Sequence, residues 1–292
     1  MDSYQLKPIP EAPHLTETVR GVDQSGKAVE TRVIVERPLT LFLNAQEIVT
    51  MMTIGDYPHY LAVGFLRNQG MLRDDDEISA IEYDEEVDVV VVRTARETDY
   101  EDRLKKKTRT SGCAQGTVFG DLMENFEDTC MPQGSLHTSW LYALAKIINT
   151  TPSLYLEAGA IHGCVLAREN KPLLYMEDVG RHNAVDKVAG YMFTHDVAAA
   201  DKIFYTTGRL TSEMVIKTVQ MGIPILVSRS GFTAWGVELA RQANLTLIGR
   251  ARGKRFVALA GEHRLIFDAD PETVAEEPAH VRRKSSQPQD AE

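Results

Sequence analysis

Lys202-Ile203-Phe204-Tyr205-Thr206-Thr207-Gly208-Arg209-Leu210-Thr211-Ser212-Glu213-Met214 decides the fold. An apolar run of strand length gives way to a glycine-bearing polar turn, and then to a helical rhythm that continues to Met221. Gly222 stops that helix, and Pro224-Ile225-Leu226-Val227 opens a second strand; a helix over 233–244 and a third apolar run over 245–248 repeat the pattern. Upstream, Cys164-Val165-Leu166-Ala167 and Leu173-Leu174-Tyr175-Met176 read as strands, while Val185, Val188, Ala189 and Met192 mark one face of a helix. This alternation predicts an α/β fold class, with a parallel or mixed sheet and helices on its faces.

The N-terminal half has a different rhythm. Thr31-Arg32-Val33-Ile34-Val35-Glu36, Leu39-Thr40-Leu41-Phe42-Leu43 and Glu47-Ile48-Val49-Thr50-Met51-Met52 alternate in β fashion, the last two joined by a turn at Asn44-Ala45. Asp56 as N-cap, Pro58 in the first turn and Leu61, Phe65 and Leu66 before Gly70 predict a short helix, and 87–92 reads as a buried strand. Leu136, Trp140, Leu141, Leu144, Ile147 and Ile148 form an apolar helical stripe suited to core packing. The expected organisation is an arm over 1–22, then a smaller, mostly antiparallel α+β domain over 23–134 with an irregular loop at 105–134. An α/β domain over 135–268 and a disordered tail over 269–292, acidic and then basic, complete it.

The 292 residues, 43% hydrophobic and 25% charged, can support a sizeable core. A formal net charge of −10 argues against a nucleic-acid partner, so any anionic ligand must be met by local positive charge. The first twenty residues contain charges and prolines and no apolar stretch, and nothing later approaches a membrane span, which predicts a cytoplasmic protein with no membrane partner. Cys113, Cys130 and Cys164 are too few and too widely spaced for a disulfide framework.

Three strand ends lead into polar, glycine-bearing turns, each with an arginine: Glu177-Asp178-Val179-Gly180-Arg181-His182-Asn183, Thr207-Gly208-Arg209-Leu210-Thr211-Ser212-Glu213 and Ser228-Arg229-Ser230-Gly231-Phe232-Thr233. In such sheets ligands bind beyond the carboxyl ends of the strands, where helix N-termini favour anions and arginine grips phosphate in bidentate fashion. One such turn is ordinary capping, with Thr211 and Thr233 as caps; three together point to an anion site. Gly249-Arg250-Ala251-Arg252-Gly253-Lys254-Arg255 adds four cations, either a solvated hairpin or part of a site for more than one phosphate.

Cys113 follows the cationic run Lys105-Lys106-Lys107-Thr108-Arg109 inside Ser111-Gly112-Cys113-Ala114-Gln115-Gly116. Positive charge and access to solvent favour the thiolate, so this reads as a working cysteine, against the alternative of a small packed hydrophobe. His162-Gly163-Cys164 invites a zinc-deaminase reading. It fails because Cys164 stands where the catalytic Glu belongs and no Cys-x-x-Cys exists, so no zinc is expected. His162 and His182 are left as polar groups of a cleft or as satisfied structural histidines.

With these segments in view, together with Leu61-Ala62-Val63-Gly64-Phe65-Leu66 and Gly70, the chain resembles the formate dehydrogenase accessory sulfurtransferase family from about residue 39 to about residue 267. The resemblance implies a sulfurtransferase that receives persulfide sulfur on Cys113 from a cysteine desulfurase. It would pass that sulfur to the molybdenum bis(molybdopterin guanine dinucleotide) cofactor for the formate dehydrogenase catalytic subunit. It further implies a C-terminal domain similar to the cytidine deaminase fold, and a homodimer. Carried over on the matching motifs, the cofactor-binding residues are Arg181, His182, Gly208, Arg209, Ser228, Arg229 and Ser230, with the segment Phe256, Val257, Ala258, Leu259, Ala260 and Gly261. Many members carry Cys-x-x-Cys in the catalytic loop; Gly116 stands at the second position here, which implies a one-cysteine relay. The alternative function is a cofactor-binding chaperone for formate dehydrogenase without sulfur transfer.

Overall fold

The computed structural model describes residues 4–73, 75–96, 126 and 129–274. In the N-terminal half, β1 (Thr16–Val22) and β2 (Ala28–Ile34) form an antiparallel pair. They are followed by β3 (Arg37–Leu43), β4 (Gln46–Thr53), helix α1 (Pro58–Asn68), β5 (Ile78–Asp84) and β6 (Val89–Thr94). The last four strands make a sheet in the order β4-β3-β6-β5, antiparallel except for the β3–β6 pair, as the alternation predicted. α1 closes it: Leu61, Ala62, Val63 and Leu66 are fully buried against Leu39, Leu41, Val90 and Val92. Each aliphatic side chain buried this way contributes roughly 1.5–3 kcal/mol.

Four local expectations shift for visible reasons. The lead-in is extended, but from Thr16 it is strand β1, and its earlier part runs beside β9, where the Gln5 amide donates to the Leu173 carbonyl. Asp56 does not cap α1; it pairs with a buried lysine, and the N-cap position falls to Tyr57 in a left-handed conformation (φ 48°). The strand predicted at 87–92 begins two residues later because Asp88, also left-handed (φ 52°), belongs to a turn braced by the Tyr83 hydroxyl. Leu136 leaves the helical stripe to join β7 (Leu136–His137), and α2 starts at Thr138, where Asp268 accepts from the Ser139 amide and the Thr138 hydroxyl.

After α2 (Thr138–Thr150) and the short α3 (Leu154–Glu157), the βα alternation runs as predicted. It comprises β8 (His162–Arg168), β9 (Lys171–Asp178), α4 (Arg181–Thr194), β10 (Lys202–Thr206), α5 (Ser212–Gln220) and β11 (Ile225–Ser228). Next come α6 (Ala234–Gln242), β12 (Thr246–Arg252), β13 (Arg255–Ala260) and β14 (Leu265–Ile266), which pairs with β7. The mixed six-stranded sheet has the order β13-β12-β11-β10-β8-β9, with β10, β11 and β12 parallel. α4, α5 and α6 cover one face and α2 the other. Most of the expected irregular loop and the tail beyond residue 274 lie outside the described residues.

The two sheets are joined by α1 crossing α4. Gly64 and Gly190 meet there so closely that a Cβ on Gly64 would lie 1.7 Å from the Asp186 carbonyl oxygen, and one on Gly190 would lie 1.9 Å from that of Tyr60. Around the crossing sits a buried ionic network. Lys187, with no exposed surface, gives its three protons to Asp56, to Asp178 (2.6 Å) and to the Glu177 carbonyl (2.9 Å). Asp186 takes Lys217 on both oxygens at 2.7 Å and Asn68 of α1 at 2.7 Å.

Gly64→Ala or Gly190→Ala must therefore push two helix backbones apart. We expect a loss of roughly 3 kcal/mol or more, read as a fall of several degrees in the thermal midpoint. Gly21→Ala, where nothing lies within 4 Å of the added methyl, should leave the midpoint nearly unchanged.

Candidate functional site

Four connections come side by side at the carboxyl end of the six-stranded sheet. They are the β9–α4 turn with Arg181 and His182, the β10–α5 turn with Gly208 and Arg209, the β11–α6 turn with Ser228, Arg229 and Ser230, and the β12–β13 hairpin. Strand direction alone brings them together, because β9 runs the same way as β10, β11 and β12. Short bonds set the turns in register: the Ser228 hydroxyl donates to the Gly208 carbonyl at 2.6 Å and accepts from the Ser230 amide at 2.9 Å. The Thr206 hydroxyl accepts from the Gly208 amide at 3.1 Å. Gly208 also has a packing reason, since a Cβ there would lie 3.1 Å from Cδ of Arg181. Of the two expected caps, Thr233 accepts from the Gly236 amide, whereas Thr211 occupies the cap position without a side-chain bond.

Arg229, Ser230, Gly231, Arg250, Arg252, Arg255, Phe256 and Val257 line a cleft of about 710 Å³. These lining residues bring four guanidinium groups and no carboxylate, in a chain with an excess of acid. Arg229 is the most firmly held: Nη1 donates to Oδ1 of Asn149 at 2.9 Å, and the guanidinium lies over the Tyr155 ring, 5.4 Å from its centroid. Arg252 donates through Nε to the Arg229 carbonyl at 3.1 Å. Such a surface suits a ligand with more than one phosphate, because each planar guanidinium can offer two parallel N–H bonds.

At the β8 and β9–α4 end of this row, His162 sits near Arg181, His182 and Arg209. Burial, then the charges of Arg181, His182 and Arg209, hold the His162 imidazole below its ordinary range. Burial likewise lowers His182, against the pull of Glu213, whose carboxylate oxygen is 3.1 Å from Nε2. Both rings are thus neutral at pH 7 and can accept a hydrogen bond that an imidazolium could not. The structure so separates the β9–α4 motif into two jobs. Arg181 and His182 stand at the strand end without lining the cleft, His182 being buried, while Asp178, Asn183, Asp186 and Lys187 belong to the joint with the N-terminal sheet.

The segment 256–261 is divided too. Phe256 and Val257 line the cleft, but β13 runs antiparallel to β12, so Ala258, Leu259, Ala260 and Gly261 lead away from it. Gly261 ends against Thr246 at the opposite end of the sheet, where its left-handed backbone (φ 67°) starts a 3-10 turn. Cys113 and the cationic run before it lie outside the described residues. Cys164 is fully buried in β8, and burial pushes its thiol up to about 12. Cys130 is exposed but lies at the amino end of the parallel strands, where Asn244 donates to its sulfur at 3.8 Å. Asn149 and Tyr155 were not among the residues the sequence singled out; a helix residue and an aromatic in a four-residue helix carry no local signature.

Against known proteins, a family model described as the FdhD/NarQ family matches residues 34–266. "Sulfur carrier protein FdhD" of Bacillus subtilis is 31% identical over 234 residues, covering 78% of this chain and 88% of that protein. The protein of the same name from Wolinella succinogenes is 31% identical over 238 residues, covering 80% and 82%. A crystal structure from Desulfotalea psychrophila, of a provisionally assigned formate dehydrogenase accessory protein, superposes with a TM-score of 0.71 at 26% identity. It covers 86% of this chain and 98% of its own. No helix among the described residues is long and apolar enough to cross a membrane.

Two measurements follow from this geometry. A maleimide probe at pH 7.5 should label Cys130 in the native protein and leave Cys164 unmodified until the chain is unfolded. Glu177 gives a pH signature: burial raises its carboxyl from 4.5 to about 7, against the backbone amides of Tyr155 and Leu154 that donate to it. The folded state holds that proton more tightly than the unfolded chain. The associated stability is therefore complete below about pH 4.5 and lost as pH rises through about 7. Glu177→Gln has no such loss, so its stability relative to the parent should rise by roughly 3 kcal/mol between pH 4.5 and 8 in urea titrations. A pH-independent difference would rule this out.

Proposed function

The chain belongs to the FdhD/NarQ family, and from that membership we propose that it is a cytoplasmic sulfur carrier serving the maturation of formate dehydrogenase. The observation that carries the reading is the cleft of Arg229, Arg250, Arg252 and Arg255 at the carboxyl end of the parallel strands. Its cargo would be the molybdenum bis(molybdopterin guanine dinucleotide) cofactor, a substrate of the transfer rather than a resident group. The pyrophosphates of such a molecule match the surplus of guanidinium donors, and Phe256 offers an aromatic face beside them. Arg181, Arg209 and Ser230 would extend the same surface along the strand ends, with His182, Gly208 and Ser228 buried behind them.

Sulfur enters on Cys113. Its thiolate attacks the terminal sulfur of a persulfide on a cysteine desulfurase; the new S–S bond forms on Cys113, and the donor cysteine leaves as thiolate. Lys105, Lys106, Lys107 and Arg109, close by in sequence, would stabilise both anions. With Gly116 at the position of a second loop cysteine, no thiol three residues on can expel the sulfur as sulfide, so transfer to the acceptor becomes the main exit.

The test separates the carrier from a binding chaperone that shelters cofactor without sulfur chemistry. After incubation with a cysteine desulfurase and cysteine, mass spectrometry should find a reductant-labile gain of about 32 Da, one sulfur atom, on the Cys113 peptide. Cys113→Ala should abolish activation of formate dehydrogenase while leaving GDP binding near that of the parent. An active dehydrogenase with Cys113→Ala, together with an inactive one for Arg229→Ala, would favour the chaperone.

A further inference from the structure

The side chains of Asn149 and Tyr155 act on the cleft without lining it. Asn149 comes from the last turn of α2 and is almost fully buried, and its Oδ1 takes one terminal nitrogen of Arg229 at 2.9 Å. Tyr155 comes from α3, whose first two amides are held by the buried Glu177 carboxylate at 2.8 Å each, and its ring carries the flat face of the same guanidinium. One edge and one face of Arg229 are thereby used by the protein. Among the described residues nothing takes Nε and Nη2, the pair that makes a bidentate bond to phosphate.

We propose that Asn149 and Tyr155 are positioning residues that preorient Arg229 for a phosphate oxygen pair of the ligand in the cleft. The proposal rests on the reading of that cleft as a guanine-dinucleotide site. The reason is entropic as well as directional. A free arginine samples many rotamers and must be ordered when ligand binds, whereas one already fixed by an amide and an aromatic face presents its fork at once. Asn rather than Asp suits the first role, since a carboxylate would cancel the charge that the ligand needs. Arg250 and Arg255, exposed on the hairpin, have no such support among the described residues and contribute mainly charge.

GDP is the probe, and calorimetric titration of the full chain is the measurement. Arg229→Ala should weaken GDP by about tenfold or more, as expected for loss of a charged hydrogen-bond pair. Asn149→Ala should weaken it by about fivefold and Tyr155→Leu by roughly threefold, while Tyr155→Phe, which keeps the ring, should match the parent. In the Asn149→Ala, Arg229→Ala double variant the Asn149 change should add nothing, because the guanidinium through which it is proposed to act has gone. If Tyr155→Leu does not fold, Asn149→Ala, its double variant and Tyr155→Phe still decide the question. Parent-like affinity for Asn149→Ala beside a weak Arg229→Ala would overturn the positioning role and leave the cleft reading intact. Parent-like affinity for Arg229→Ala itself would overturn both.

Discussion

The crossing of α1 over α4 is the contact on which the other features depend. Gly64 and Gly190 let two helix backbones touch, and that approach brings Asp56 and Thr53 from the N-terminal sheet to the end of β9, where Asp178 accepts from Thr53 and Lys187. A buried lysine is tolerable only when every proton has a partner, and here the three acceptors come from both halves of the chain. The desolvation that pulls the Lys187 pKa down is outweighed by the Asp178 and Asp56 charges, so it is raised and the group stays charged. Removing Lys187 would leave two buried carboxylates without their counter-charge, a loss of about 3–5 kcal/mol.

That joint also fixes the first edge of the site. Asp178 accepts from the Gly180 amide and from Asn183, so the β9–α4 turn has little freedom before Arg181 and His182 begin the helix. Gly208 then allows Arg181 to lie against the next turn, and Ser228 ties that turn to the third. Rigidity passes from the helix crossing to the strand ends through bonds of ordinary length. Each arginine then adds charge at a place the sheet has already determined, so positive charge is concentrated locally in an acidic protein.

Much of this was legible in the sequence, for a physical reason. Periods of 2 and 3.6 report burial, so β8 to β12 and their helices stand out wherever one face is apolar, and Gly222 and Gly70 end helices in left-handed conformations that glycine adopts freely. Turn chemistry gave away the arginine-bearing strand ends. Tertiary partnership left no such trace: nothing local distinguishes Asp56 as a lysine partner from Asp56 as a cap, or Leu136 in a two-residue strand from Leu136 in a helix. β5 went unread because its acidic neighbours mask a short, half-buried alternation. The direction of β13 explains why a contiguous segment such as 256–261 contributes only its first two residues to the cleft.

The geometry of the thiols constrains any sulfur chemistry. Cys164 is sealed in the core beneath Thr206, and its thiol is pushed so high that thiolate is negligible at neutral pH. Cys130 is accessible, but the parallel strands separate it from the arginine cleft: it lies by Ala243 and Asn244, before β12, whereas Arg250 and Arg252 line the cleft at the far end of that strand. Seven strand residues span about 20 Å, far beyond the reach of a thiol exchange. A carrier that brings sulfur to a ligand in the cleft must use a cysteine outside both positions. In this chain only Cys113 meets that condition. That leaves Cys113, which lies outside the described residues, as the residue on which the sulfur-carrier proposal stands.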